Sequence, residues 1–480
     1  MLESLDYARR DQAMMFLGRS LRDFLPEDHL LLRVEGAIDF KRLVRPFTQA
    51  YCPDNGRPGV HPEILVRALL LSRLYGIPSF RKLCAEIELH LAYRYFCHLP
   101  LHERVFDHST ITRFLDRVGR EAFETLCQSL TTQLYEQGWL TQDAYLDSTL
   151  VEANASADGL TPTALGAEAF AEAVVEANGL FQGPAGLAPD AEVRRYQDRQ
   201  GRLALPASDP DARWAKGSRG PARLAYKVSA LADDHGFLVG QRLDLGTVAD
   251  HEAGQRLLAG VPPPTSVAAD KAYSAGAFRA ALRERAITGY IPLPADHPPA
   301  FLRTEGFQFG PFTMTCPKGL QLQAYHRHDK PNIHYRARRR ECGPCSQLAH
   351  CPAARRHGFT LGADTKELVL ALAENETPAY RRAQRRRRTV IEGVFAQMKS
   401  RGLRRVKLRS LRRVAIEVAL AAFAHNVLKL VKLGRRNAPV ATGAATAQAA
   451  CHHHRARPHT QGPLLALYQQ PQLNAPTSVA

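Results

Sequence analysis

The sequence predicts an α/β protein with a mixed-sheet core, an all-α N-terminal domain and a small cysteine-rich insertion. Three observations support this prediction. Apolar residues recur at three- and four-residue steps through residues 1–140, and the period then changes to short strands alternating with helices over 141–295. Four of the nine cysteines fall between residues 316 and 351. A chain of 480 residues is also too long for one core, so several domains are expected.

Residues 1–140 are interpreted as a helical domain for DNA binding or oligomerisation. Ser109 or Thr110 precedes one apolar pattern closely enough to act as a helix N-cap. The predicted helices span 61–75, 79–96, 109–119 and 121–134.

The core is expected to begin at 141–295, with the Ala-, Gly- and Pro-rich segment 155–213 as a flexible insertion, and to end with 376–433. The predicted strands span 143–151, 222–231, 237–245, 265–270 and 288–293, and the predicted helices span 250–259, 275–286, 378–400 and 411–433. This order, three strands and then alternating helices and strands before a last helix, matches a ribonuclease H-like core. Residues 434–480 contain no acidic residue and are expected to be disordered.

The charge balance points to a polyanionic partner. Lysine and arginine number 64 against 47 acidic residues, which gives a net charge of +17. Nucleic acid is the simplest partner for such a surplus, although a merely basic soluble protein is the alternative. No secretory signal is expected, because residues 1–10 already hold four charged residues of mixed sign. No membrane span is expected either, because charged or polar residues interrupt the apolar stretches 64–77 and 414–430.

Two aspartates stand where strands carry sites. Asp147 lies in the middle of the strand predicted at 143–151, where an ionised carboxylate is costly to bury unless it is paired or binds metal. An edge strand with Asp147 in water is the alternative. Asp270 ends the apolar run 267–269, and the carboxyl ends of strands are where α/β proteins form sites. Its alternative role is that of a loop or capping residue.

Glu392 is the most informative acidic residue. Between residues 381 and 413 there are 14 lysines and arginines, and Glu392 is the only acid. A solvated helix face would mix the two signs. Arg388 and Lys399, four residues before and seven after Glu392, project from its face of the predicted helix. Two aspartates and a glutamate suit a pair of Mg²⁺ or Mn²⁺ ions, about 3.5–4 Å apart, that cleave phosphodiesters.

At these residues the chain resembles the DDE transposases of insertion sequences. The three catalytic blocks of that family are similar to YLDSTLVEANAS around Asp147, ADKAYS around Asp270 and RRRRTVIEGVFAQMKSRG around Glu392. The last block resembles the family's Tyr-Arg-Glu-Lys signature through Arg388, Glu392 and Lys399, but Arg385 stands in the tyrosine position. The helical segments HPEILVRALLLSRLYGIPSFRKLC and FDHSTITRFLDRVG look like the family's N-terminal domain.

This resemblance implies a ribonuclease H-like catalytic domain in which Asp147, Asp270 and Glu392 hold Mg²⁺ or Mn²⁺. Arg388 and Lys399 would flank the metal site and contact DNA phosphates. The family acts without ATP, as an oligomer that we expect to be a dimer, on double-stranded DNA with terminal inverted repeats. We therefore expect a cytoplasmic, nucleoid-associated protein with no membrane partner.

The segment 109–119 of the helical domain is a candidate recognition helix. It would present Arg113 and Arg117 to DNA. The alternative is a helix that packs the domain or forms a dimer interface.

The cysteines within 296–375 predict a structural zinc site. Two of them have the Cys-x2-Cys spacing of a zinc knuckle, and the other two supply plausible third and fourth ligands, with His350 competing for the fourth place. Free thiols are the alternative. The four candidate ligands are Cys316, Cys342, Cys345 and Cys351.

The sequence thus predicts a transposase that cleaves DNA and transfers strands at the ends of an insertion sequence. A catalytically inactive, transposase-derived DNA-binding protein is one alternative, and a metal-dependent nuclease without strand transfer is another. The presence of all three carboxylates favours an active enzyme.

Overall fold

The structure is a computed structural model. It describes residues 19–52, 59–156, 160–162, 204–217, 221–293, 306–309, 313–326, 333–351, 353, 358–361, 367–368, 370–371, 374–375 and 377–437. Most of the predicted insertion 155–213 and nearly all of the predicted tail 434–480 lie outside these residues. The chain divides into two compact units. One comprises the described residues up to Gly138 together with those from Ala419 onward, and the other is Trp139–Val418.

The N-terminal unit is helical, as predicted. The predicted helix 79–96 is divided at His90, whose extended backbone (φ −104°, ψ 114°) ends one helix and begins the next. The predicted helices 109–119 and 121–134 are merged, with Gly119 (φ 73°) as a kink that a residue with a side chain would adopt only with strain. After a 3₁₀ helix at Leu21–Phe24, the helices are α1 (Leu30–Ala37), α2 (Phe40–Thr48), α3 (Pro62–Leu74), α4 (Phe80–Leu89), α5 (Leu91–Phe96) and α6 (His108–Glu136).

The predicted cap of α6 is wrong. Neither Ser109 nor Thr110 is the N-cap. Asp107 caps the helix instead, and its carboxylate accepts a hydrogen bond of 2.8 Å from the backbone N–H of Ser109. An ionised side chain at this position also interacts favourably with the positive end of the helix dipole.

Among the described residues, one helix is long and apolar enough to cross a membrane by length and composition alone. It spans residues 411–434, but 83% of its most apolar 18-residue window is buried inside the protein. It also carries the buried polar residues Glu417, His425 and Asn426. These properties are those of a core helix.

The second unit contains the predicted mixed sheet. Its strands lie in the order β4-β5-β1-β7-β8, and β6 pairs with β5 on the same side as β4. The pairs β1–β5 and β5–β6 are antiparallel, whereas β1–β7 and β7–β8 are parallel. The strands are β1 (Asp143–Glu152), β4 (Arg213–Ala215), β5 (Arg223–Asp233), β6 (Leu238–Leu245), β7 (Ser266–Ala268) and β8 (Thr288–Tyr290), with a separate pair β2 (Leu160–Pro162) and β3 (Ala204–Pro206).

Alternation along β1 sends its side chains to two different environments. Leu146 points into an apolar core that includes Leu257, Tyr273 and Phe278. The neighbouring residue Asp147 therefore points to the opposite face, which the helix Pro378–Met398 contacts. The helices of this unit are α7 (Asp250–Ala259), α8 (Gly276–Glu284), α9 (Arg339–Cys342), α10 (Pro378–Met398) and α11 (Leu411–Asn437, shared with the N-terminal unit), with 3₁₀ turns at Lys271–Tyr273 and Leu348–His350.

The described residues between 306 and 361 include the five strands of a second sheet, in which every pair is antiparallel. Its order is β13-β12-β11-β10-β9, and Met314, Leu322 and Tyr335 are buried in its small core. The strands are β9 (Gln308–Phe309), β10 (Thr313–Thr315), β11 (Gln321–His326), β12 (Ile333–Arg336) and β13 (Gly358–Leu361).

Candidate active site

The structure places Asp147 and Asp270 side by side on the central sheet. In the parallel register of β1 and β7, Tyr145 pairs with Ala268. Asp147 and Asp270 each lie two residues beyond that pair, so the two segments carry them to the same level along the strand direction. The negative charge of Asp270 contributes to a raised pKa of Asp147. The central strand predicted for Asp147 is thus present, and the carboxylate does not stand at a sheet edge.

Asp147 is partly buried and has two hydrogen-bond donors. Its Oδ1 accepts 2.8 Å from the backbone N–H of Ser148, and its Oδ2 accepts 2.9 Å from Nη1 of Arg387. Burial raises the pKa of Asp147 to about 6, and the carboxylates of Asp270 and Asp250 raise it as well, while the two donors act in the opposite direction. Burial, together with the neighbouring carboxylates, thus outweighs the effect of the two donors on the pKa of Asp147.

A hydrogen-bonded group under the sheet connects the two aspartates. Ser148 Oγ lies 2.6 Å from Oη of Tyr273 and 2.8 Å from Oγ of Ser229 on β5. Tyr273 is fully buried, and it follows Asp270, whose own carboxylate accepts 2.9 Å from the N–H of Ala272. The turn after Asp270 is thus fastened to β1 next to Asp147. Tyr273 belongs to the block ADKAYS, but no sequence pattern distinguishes it as a residue that supports the site.

Helix α10 lies over the face of β1 that carries Asp147. Its N-cap is Thr377, which accepts a hydrogen bond from the N–H of Tyr380, and Pro378 fits the first turn because no donor is needed there. Gln384 Nε2 donates 2.9 Å to the carbonyl of Ala269, the residue before Asp270. The buried residues of α10 are Arg387, Ile391, Val394, Phe395 and Met398.

Glu392 is exposed on α10 and is not gathered with the aspartates. No group of three His, Cys, Asp or Glu side chains in the described part of the chain is arranged to hold a metal ion. Glu392 follows Arg387 by five residues, which at about 100° per residue turns it about 140° away from the side chain that contacts Asp147. The described structure thus brings two of the three carboxylates together, and the role of Glu392 in the site stays a prediction.

The predicted DNA-contacting residues differ in their surroundings. Lys399 Nζ donates 2.5 Å to Thr149 Oγ1, and Thr149 shares the face of Asp147 on β1, so Lys399 borders the site. Burial lowers the pKa of Lys399. Arg388 is exposed. On α6, the exposed Arg113 donates 2.8 Å to Ser109 Oγ, and the exposed Arg117 lies over the ring of Tyr51 at 4.6 Å.

A cavity of about 650 Å³ opens beside the first half of α10. Arg386 in its wall is bonded to Asp234 at 2.8 Å, a contact that lowers the pKa of Asp234. Arg382 and Arg385 also line the cavity and are exposed. The wall thus carries three arginines against Asp143 and Asp234, an excess of one positive charge.

The four predicted zinc ligands lie near one another. Burial raises the pKa of Cys342, and the thiols of Cys351, Cys345 and Cys316 raise it further, in that order. Cys316 opens a tight turn in which its N–H donates to the carbonyl of Leu320. The thiol of Cys351 accepts from the N–H of Ala353 at 3.4 Å. Their sulfur atoms are not in metal-ligating geometry in the described structure.

Comparison with known proteins identifies the family. Residues 19–117 match a transposase domain (DUF772), and residues 183–427, half of the chain, match a transposase DDE domain. The chain belongs to the DDE transposase family. The matched region contains Asp270 and Glu392, while Asp147 precedes it.

This transposase-family chain is 31% identical over 153 residues to the transposase for insertion sequence element IS1106 of Neisseria meningitidis serogroup B. The match covers 31% of this chain and only 50% of that protein, so the chain spans about half the length of the curated relative. A piggyBac transposase, solved as a synaptic complex with hairpin DNA, covers 85% of this chain and 74% of its own with 8% identity. Its TM-score of 0.33 is too low to support an argument.

Proposed function

We propose that this protein is a metal-dependent transposase that cleaves DNA strands and transfers them at the ends of an insertion sequence. Its substrate is double-stranded DNA with terminal inverted repeats. The observation that carries the proposal is the pair of Asp147 on β1 and Asp270 just after the adjacent parallel strand β7, in a chain of the DDE transposase family whose arginine-rich helix α10 contacts both strands.

The mixed sheet is proposed to be a ribonuclease H-like core. Three antiparallel strands followed in the sheet by two parallel ones support this assignment, as does the helix that covers the face of β1 bearing Asp147. The sites of such sheets form where the parallel strands end.

The site fits divalent cations. Two neighbouring carboxylates, one with a raised pKa, are an oxygen-rich and undercompensated anionic site, which Mg²⁺ or Mn²⁺ prefers. Asp147 and Asp270 would hold the ions, and Glu392 is proposed as a third ligand. When bound, two such ions activate the attacking oxygen and stabilise the leaving oxygen.

The residues of the chain would position the substrate. Lys399, held at Thr149, borders the carboxylates and is placed to hold a phosphate of the cleaved strand. Arg388, exposed on α10, would contact a second phosphate. Arg113 and Arg117 on α6 are proposed to recognise the element ends. Because each phosphate contact releases a counterion, Lys399→Ala should lower the log–log salt slope of DNA binding by about one unit.

Strand-transfer assays test the catalytic assignment. We expect Asp147→Asn, Asp270→Asn and Glu392→Gln each to abolish cleavage of DNA that carries the element ends while DNA binding remains. Glu284→Gln, an exposed acid at the end of α8, is the matched control and should retain activity. Cleavage without joining would identify a nuclease, and binding without cleavage by the wild-type protein would identify an inactive relative.

The cysteine cluster is proposed to bind structural Zn²⁺. The closeness of four thiols and the tight turn at Cys316 support this proposal. Zinc would form bonds of about 2.3 Å with Cys316, Cys342, Cys345 and Cys351 and so lower their pKa values. Metal analysis of the purified protein should find one zinc per chain, and Cys345→Ser should lose it. Four thiols that titrate freely in the native zinc-free protein would contradict the proposal.

The cellular setting follows from the proposed substrate. We place the protein in the cytoplasm, associated with nucleoid DNA, and expect it to act as a dimer because an element has two ends. Light scattering of the protein with and without end DNA would measure the number of chains in the complex.

A further inference from the structure

Arg387 differs from the other arginines of α10. It is buried, with 9% of its surface exposed, whereas its neighbours Arg386 and Arg388 are exposed. Its guanidinium reaches across to Asp147, 240 residues earlier in the chain. One arginine of this cationic helix has thus been directed into the proposed site.

Arg387 occupies an oxygen that a metal ion would need. Oδ1 of Asp147 faces the N–H of Ser148, while Oδ2 is held by Nη1 of Arg387 at 2.9 Å. Both oxygens therefore have a donor in this structure. A divalent ion at this carboxylate would approach an atom that already carries a positively charged partner.

The fit of Arg387 is incomplete. Its Nε is buried and makes no hydrogen bond within the described residues. A guanidinium carries five N–H donors and does not lose its charge, so a buried donor without an acceptor is unfavourable. A permanent structural ion pair would be better satisfied.

We propose that Arg387 is a resident counter-cation of Asp147 that competes with the divalent metal ion and sets its affinity. The inference rests on the proposed metal site and adds a residue to it. In the metal-free protein Arg387 holds the carboxylate in place, and metal binding requires its guanidinium to leave Oδ2. Loss of Arg387 therefore removes both a competitor and a repelling charge, and metal binds more tightly.

The test is Mn²⁺ binding to the full chain without DNA, measured by electron paramagnetic resonance at pH 8. We expect Arg387→Ala to bind Mn²⁺ about tenfold more tightly than the wild type, the effect of one charge on a divalent ion roughly 6 Å away in water. Arg385→Ala removes an exposed arginine of the same helix and should change the affinity less than about twofold, because solvent screens it. Unchanged or weaker Mn²⁺ binding by Arg387→Ala would overturn the proposal.

Two further variants separate the possible failures. Arg387→Gln removes the charge but keeps a donor of similar reach, so it should also tighten Mn²⁺ binding and serves if the alanine variant does not fold. In an Asp147→Asn background, which should already have lost Mn²⁺, the change at Arg387 should not restore wild-type binding. If Asp147→Asn alone binds Mn²⁺ as tightly as the wild type, the proposed metal site is wrong. If it loses Mn²⁺ while both Arg387 variants match the wild type, only the role of Arg387 is wrong.

Discussion

Replacing Asp147 by asparagine should stabilise the metal-free protein at alkaline pH. The raised pKa means that folding disfavours the ionised carboxylate, because burial and Asp270 both oppose its charge. The shift from 3.8 to about 6 corresponds to roughly 3 kcal/mol at about 1.36 kcal/mol per pKa unit. Asparagine, which is neutral at every pH, escapes this cost.

The sign of the effect fixes its pH window. Between pH 4 and 6 the folded state binds more protons at Asp147 than the unfolded state, so this residue makes stability fall as pH rises. Above that window the cost is complete. Asp147→Asn should therefore match the wild type near pH 4 and exceed it by up to about 3 kcal/mol at pH 8.

Urea unfolding in EDTA measures the difference. The two tryptophans, Trp139 and Trp214, both belong to the sheet unit, so their fluorescence reports on the unit that contains Asp147. Asp234→Asn is the contrasting control. The hydrogen bond from Arg386 lowers the pKa of Asp234, so this carboxylate contributes stability above its unfolded pKa and its loss should destabilise the protein at pH 8.

The prediction is refuted if Asp147→Asn is no more stable than the wild type at pH 8, or if the difference in stability between the two proteins does not shrink toward pH 4. Saturating Mg²⁺ provides a second check. At 100 times its Kd it would stabilise the wild type by about 2.7 kcal/mol and leave the variant unchanged. If Mg²⁺ leaves the stability difference between the two proteins unchanged, the carboxylate with the raised pKa does not bind the metal ion.

Three other predictions concern the site and its support. Gly254→Ala would place a methyl group 2.7 Å from the ring of Tyr273 and should lower the free energy of unfolding by about 1–3 kcal/mol. Gly393→Ala, with nothing within 4 Å of the added methyl group, should raise it by up to about 1 kcal/mol. Equal changes in thermal unfolding of the two variants would contradict the close packing at Gly254. Tyr273→Phe removes the hydroxyl bonded to β1 and should cost about 1 kcal/mol, with no loss if that bond does not form. Arg382→Ala combined with Arg385→Ala should lower the salt slope of DNA binding by about two units, and an unchanged slope would exclude the cavity from the DNA path.

Short-range patterns in the sequence determined much of the architecture. The helix predicted at 250–259 has those bounds in the structure, and the strands predicted at 143–151 and 237–245 agree within a residue or two. Periodicity and capping act over a few residues, so a single sequence carries them. The position of Asp147 on a strand followed for the same reason. The strand predicted at 265–270 covers only Ser266–Ala268, so Asp270 lies just beyond it, and the parallel pairing with β1 brings the two aspartates together.

The tertiary structure alone decided which side chains meet. Residues 381–388 contain six arginines that composition cannot distinguish, yet only Arg387 is directed to Asp147. The rotation of α10 about its axis determines which arginine faces Asp147. That rotation is fixed by contacts with residues more than 100 positions earlier, such as the hydrogen bond from Gln384 to the carbonyl of Ala269. Because one residue of helix turns a side chain by about 100°, the same rotation that buries Arg387 leaves Glu392 exposed.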